Sequence, residues 1–152
     1  MALAVTTSGC DGSAIAPGPP APNTQNQVKP SGTWSGTETD RLGPAFLTWT
    51  LTQVGDSVSG TVYLRPMNPT DGSCGSCHKS KDGTVSGTVS GMDLALTLFF
   101  PAGGEGDPTP ACSITLDGTA SYVTESAITG TYRGADPCEG IFDGTLEMTR
   151  TP

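Results

Sequence analysis

Residues 84–100 read TVSGTVSGMDLALTLFF. In the first half Val85, Gly87 and Val89 share one parity, and Ser and Thr fill the other. In the second half Leu94, Leu96 and Leu98 alternate with Ala95 and Thr97. An apolar period of two marks a strand with one face in a core. Gly91 stands where the pattern breaks, so the stretch reads as two antiparallel strands joined by a tight turn.

The same texture begins at residue 31 and runs to the end of the chain. Eight strands are expected, near 31–38, 46–54, 57–64, 83–90, 92–100, 112–121, 123–132 and 139–150. Several joins are short, among them Gly55-Asp56. Consecutive strands with short joins form an antiparallel meander, and eight of them on a small chain close into an up-and-down barrel with no exposed edge. A weak repeat runs through these segments as WSGT, VSGT (twice), LDGT, ITGT and FDGT. It places Gly36, Gly60, Gly87, Gly118, Gly130 and Gly144 mid-strand, in phase with the apolar face. Val58-Gly60-Val62, Val85-Gly87-Val89, Leu116-Gly118-Ala120 and Phe142-Gly144-Leu146 are expected to point inward together. A strand glycine permits sharp coiling and leaves volume for a neighbour. With Leu47, Trp49 and Leu51 opposite such gaps, the interior should be filled, with no deep cup.

Composition fits one all-β domain with a tail. Of 152 residues, 34 % are hydrophobic, 21 are Gly and 13 are Pro. The formal net charge of −8 repels phosphate backbones, so nucleic acid is a poor partner. No apolar run is long enough to span a membrane as a helix. Residues 1–10 read as the residue of a lipoprotein signal, in which Ser8-Gly9-Cys10 makes Cys10 the lipid-bearing position. Residues 11–30, DGSAIAPGPPAPNTQNQVKP, read as a Pro-rich, semi-extended and disordered linker. Residues 31–152 form the barrel. The membrane is then met only through a lipid anchor, on a bacterial cell envelope, periplasmic or at the outer surface.

Gly32-Thr33-Trp34 matches the G-x-W signature that opens the first strand of lipocalins and avidins. Arg150, in GTLEMTR, lies in phase with the inward face of the last strand, and ITGTYRGA is similar to an avidin strand. On these residues the chain resembles the calycins over 31–150. The resemblance implies a barrel whose late arginine, Arg150, packs over its early tryptophan, Trp34, at a closed end, with ligands bound at the open end. A guanidinium over an indole face is a favourable stack. Trp34 and Trp49 are the only tryptophans, so the Trp-lined biotin pocket of avidins is not implied.

Loops alternate between the two ends of such a barrel, so segments 65–82, 101–111 and 133–138 emerge opposite Trp34 and Arg150. Cys74, Cys77, His78, Cys112 and Cys138 therefore gather at the open end. Three chemistries fit them. Cys74, Cys77, Cys112 and Cys138 allow disulfides in any of three connectivities, which an oxidising compartment favours and which need no cofactor. Cys74-Gly75-Ser76-Cys77-His78 has the C-x-x-C-H spacing for covalent haem c, with His78 as axial ligand and Met67 the nearest second one. The cysteines with His78 also suit a zinc or iron site.

Enzyme chemistry has little to build on. Glu38, Asp40, Asp117, Glu125, Asp143 and Glu147 are expected at outward or turn positions, and the chain has one histidine. The sequence thus describes a non-enzymatic module that binds a small ligand or an envelope protein at its open end.

Overall fold

The computed structural model describes residues 28–68, 80–103, 112–137 and 140–152, apart from the side chains of Asp136 and Phe142. Eight strands follow one another: β1 (Gly32–Asp40), β2 (Gly43–Val54), β3 (Ser57–Pro66), β4 (Lys81–Ser90), β5 (Asp93–Phe100), β6 (Ile114–Thr124), β7 (Ala127–Asp136) and β8 (Gly140–Arg150). Each pairs antiparallel with its sequence neighbours, and β8 returns to β1, closing the barrel. The fold expected from the period-two pattern is the fold observed.

The alternation decides which face is inside. In β5, Leu94, Leu96, Leu98 and Phe100 are buried while Ala95 and Phe99 are exposed. The mid-strand glycines let adjacent strands coil tightly. A Cβ added to Gly36, Gly60 or Gly87 would stand 1.9, 2.0 or 2.0 Å from a carbonyl oxygen of the next strand. Backbone cannot yield there, so only a hydrogen fits.

Several boundaries differ from the sequence expectation, β2 for one starting at Gly43, and two of the differences bear on the site. The turn between the sixth and seventh strands lies at Glu125-Ser126, several residues later than the alternation suggested. Tyr122 continues the inward face of β6, and a register shift between Tyr122 and Thr124 keeps even-numbered residues inward on both strands, so alternation alone does not mark the turn. β1 also runs on to Asp40, which keeps Glu38 inside the sheet.

The two ends of the barrel differ. At one end lie the starts of the odd strands and the tight turns at Gly55-Asp56, Gly91-Met92 and Glu125-Ser126. Here Arg150 sits over Trp34, its guanidinium carbon 4.4 Å from the ring centroid. Trp34 is fully buried and meets Tyr122 edge-on, with centroids 5.5 Å apart. Residues Val28 to Ser31 cross this end as a strap. The Val28 N–H donates to Gly91 O at 3.1 Å and Trp34 Nε1 donates to Pro30 O at 2.8 Å. Arg150 donates to Ser31 O at 2.5 Å and to Lys29 O, and the Gln53 N–H donates to Ser31 Oγ at 2.8 Å. Val28 also packs on the core. This end is sealed.

Candidate functional site

The opposite rim carries the Arg41-Leu42 turn, the two long connections β3–β4 and β5–β6, and the short β7–β8 connection. Just inside it lies a polar cluster; the other buried charged side chain among the described residues, Lys81, continues the inward parity of β4 at the same end. Inward parity along β1 passes from Trp34 through Gly36 to Glu38, which is only 3 % exposed. This corrects the expectation that Glu38 faces outward or lies in a turn. The same parity along β7 brings Tyr132 inward from Ile128 and Gly130.

Tyr132 and Glu38 are two strands apart around the barrel, with β8 between them. Tyr132 is paired with Gly144 of β8, and a Cβ there would lie 2.2 Å from Tyr132 Cζ. The glycine is the gap through which the phenol ring reaches β1. The Tyr132 hydroxyl is hydrogen-bonded to Glu38 Oε2 and lies 3.2 Å from Asp40 Oδ2. Asp40 is held in turn by the Leu42 N–H, which donates to its Oδ1 at 2.7 Å.

Burial pushes the Glu38 carboxyl up to about 8; the Tyr132 hydrogen bond opposes this and the Asp40 charge adds to it. Burial also raises Tyr132, reinforced by the charges of Glu38 and Asp40. One phenol proton cannot serve two carboxylates at once. The phenol donates to Glu38 Oε2, and Asp40 Oδ2 lies within reach of the same hydroxyl. The arrangement is a compact cluster in which Tyr132 links the buried Glu38 to the half-exposed Asp40.

Below this cluster the barrel is filled. The void among Leu47, Trp49, Leu96, Leu116, Tyr132 and Leu146 measures about 10 Å³, the space of about one water molecule. Small-molecule pockets usually run to several hundred Å³. The fully buried Trp49 Nε1 has no hydrogen-bond partner among the described residues. On the outside, an open concavity of about 660 Å³ runs past Thr131, Thr145 and the Arg133–Asp143 ion pair, whose closest atoms are 3.6 Å apart.

Around the open rim the outer surface carries exposed apolar side chains: Phe46, Met67, Phe99 and Ile141. Arg65 covers Phe46, with its guanidinium carbon 4.8 Å from the ring centroid. Met67 is fixed at the end of β3 by its N–H, which donates to Pro44 O at 3.0 Å.

Of the other candidate residues, Cys10, Cys74, Cys77, His78 and Cys138 lie outside the described residues. Cys112 lies two residues ahead of β6, half-buried, and is not a free thiol. Glu38 and Tyr132 were missed as site residues by sequence reasoning. The available signal was parity: both sit two or four residues from an inward glycine or apolar residue of the same strand.

Fold and site together define an antiparallel eight-stranded barrel with one end sealed and a polar, apolar-rimmed mouth at the other. No family model and no curated protein matches the chain. Two solved structures share the architecture. The structure of EF1p2_mFAP2b bound to DFHBI is 13 % identical, with a TM-score of 0.60, covering 80 % of this chain and 93 % of that one. A redesigned β-barrel, b11L5F_LGL, is 14 % identical, with a TM-score of 0.50, covering 80 % and 91 %. At such identities the likeness establishes the fold alone.

Proposed function

We propose that this protein is a non-enzymatic binding barrel of the bacterial cell envelope, lipid-anchored at Cys10 and stapled by disulfides, which recognises its partner at the open rim. One observation carries the reading: the long β3–β4 and β5–β6 connections, the exposed Phe46, Met67, Phe99 and Ile141, and the Glu38–Tyr132–Asp40 cluster all belong to one end. Apolar side chains grouped around a rim are a common mark of recognition surfaces. The filled interior directs binding to the mouth and its loops. A barrel of similar fold was determined bound to DFHBI, which supports a small ligand as partner. Cys112 supports the staple, since its sulfur is already engaged.

Nile red, a neutral probe of apolar surface, tests the location. Its fluorescence should rise with the protein and fall by more than half in the variant Phe99→Asp with Ile141→Asp. An unchanged signal in that variant contradicts an open-rim site.

A second reading is a c-type haem held by Cys74, Cys77 and His78. Met67, exposed at the same rim, favours it as a source of a second axial sulfur. Bound haem would supply electron transfer or sensing, while the chain would hold it through two thioethers and one imidazole.

A further inference from the structure

The sealed end carries a feature that neither packing nor open-rim recognition uses. Each of its three hairpins exposes one apolar side chain. Val54 precedes the Gly55-Asp56 turn and is 77 % exposed; Met92 lies in the Gly91-Met92 turn and is 51 % exposed; Val123 precedes the Glu125-Ser126 turn and is 61 % exposed. Scattered apolar side chains on a surface are ordinary. Here they occupy the tips of every hairpin at one end of the barrel. Val123 alternates outward beside the buried Tyr122, at the register shift of β6.

The chain ahead of the barrel arrives at this same rim. The strap is bonded from Val28 to Gly91, one residue from Met92. The described chain therefore begins at the sealed end, beside its apolar tips. By its Pro-rich composition the stretch 11–27 would reach on the order of 50 Å. That distance keeps the barrel within touching range of whatever holds Cys10, and such tethering makes weak contacts count.

We propose that the sealed rim is a lipid-facing surface: Val54, Met92 and Val123 rest in the headgroup layer of a zwitterionic bilayer and hold the open rim outward. This rests on the lipid-anchor reading of Cys10 for its biological setting. The charges at this rim select the lipid. Asp56, Asp93 and Glu125 flank the tips, against Lys29 and the strap-bound Arg150, so an anionic bilayer gains nothing there. Three side chains on hairpin tips match shallow, reversible binding, not insertion.

The test uses the full chain with Cys10→Ser, so that binding is read without any anchor, and phosphatidylcholine vesicles as probe. Co-sedimentation should show weak partitioning. It should fall roughly tenfold in the triple variant Val54→Asp, Met92→Asp, Val123→Asp, and rise in Val54→Phe with Val123→Phe. Amide exchange on vesicles should slow at residues 54–57, 91–93 and 123–127. No partitioning at saturating lipid, or slowing at the Phe46, Phe99 and Ile141 rim instead, overturns the proposal. The intact mass of the exported wild-type chain reports the anchor separately, so either idea can fail alone.

Discussion

Glu38 is the residue where burial and charge conflict most. A carboxyl that titrates near 4.5 in an open chain is pushed up to about 8 inside the barrel. Between those values the folded state holds a proton that the unfolded chain has lost. Stability is therefore greatest below about 4.5 and is lost as the pH rises through about 8, with a slope of up to about 1.4 kcal/mol per pH unit. The groups facing Glu38 are Tyr132 and Asp40. Glu38→Gln keeps the shape and cannot ionise, so urea midpoints across this range should be flatter than those of the wild type. Parallel curves would show that Glu38 is not the titrating group. At the other end, Trp34 is fully buried beneath Arg150 and against Tyr122. Trp34→Ala should cost about 3–5 kcal/mol by chemical denaturation. A change within about 0.5 kcal/mol is what a surface site gives and would remove Trp34 from the seal.

Strands were legible because their signal is local. Val85-Gly87-Val89 and Leu94-Leu96-Leu98 announce both period and face, and the resulting hairpin is found with Gly87 opposite Leu96. The β6–β7 turn was misplaced because the register shift between Tyr122 and Thr124 leaves even-numbered residues inward on both strands, so alternation alone cannot locate the turn. The site was harder to read. Glu38 meets Tyr132 across 94 positions of sequence, and only closure of the barrel brings β1 within reach of β7. An acidic residue in an alternating run is ordinarily solvent-facing, so composition pointed the wrong way for Glu38. Gly144 is the element-level key, because its missing Cβ is what Tyr132 occupies. Gly144→Ala should displace the ring and cost about 1–3 kcal/mol, the usual range for overpacking. Its melting curve, compared with that of wild type, checks this; equal curves would mean that the gap is not needed.

The whole molecule is polar along the barrel axis. One end is closed by the strap, by Trp34 and by Arg150; the other presents the long β3–β4 and β5–β6 connections, an apolar rim, the Glu38–Tyr132–Asp40 cluster and the buried Lys81. Between them the core leaves a void of about 10 Å³, so the barrel works as a rigid stand for its mouth. The strap is part of that rigidity. A chain begun at Gly32 loses the acceptors of Trp34 Nε1 and of Arg150 together with the packing of Val28. At about 1–3 kcal/mol for each buried or charged hydrogen bond lost, its denaturation midpoint should drop well below that of the full chain. An equal midpoint would mean that the seal forms without the strap. The account of a colourless, anchored and stapled binding barrel meets its most direct test in one experiment: intact mass with an absorbance spectrum, on the exported chain, without reductant. We expect a lipid increment on Cys10, the loss of four hydrogens for two disulfides among Cys74, Cys77, Cys112 and Cys138, and no Soret band. A haem-sized increment with a Soret band would contradict it and move the functional centre to Cys74, Cys77 and His78.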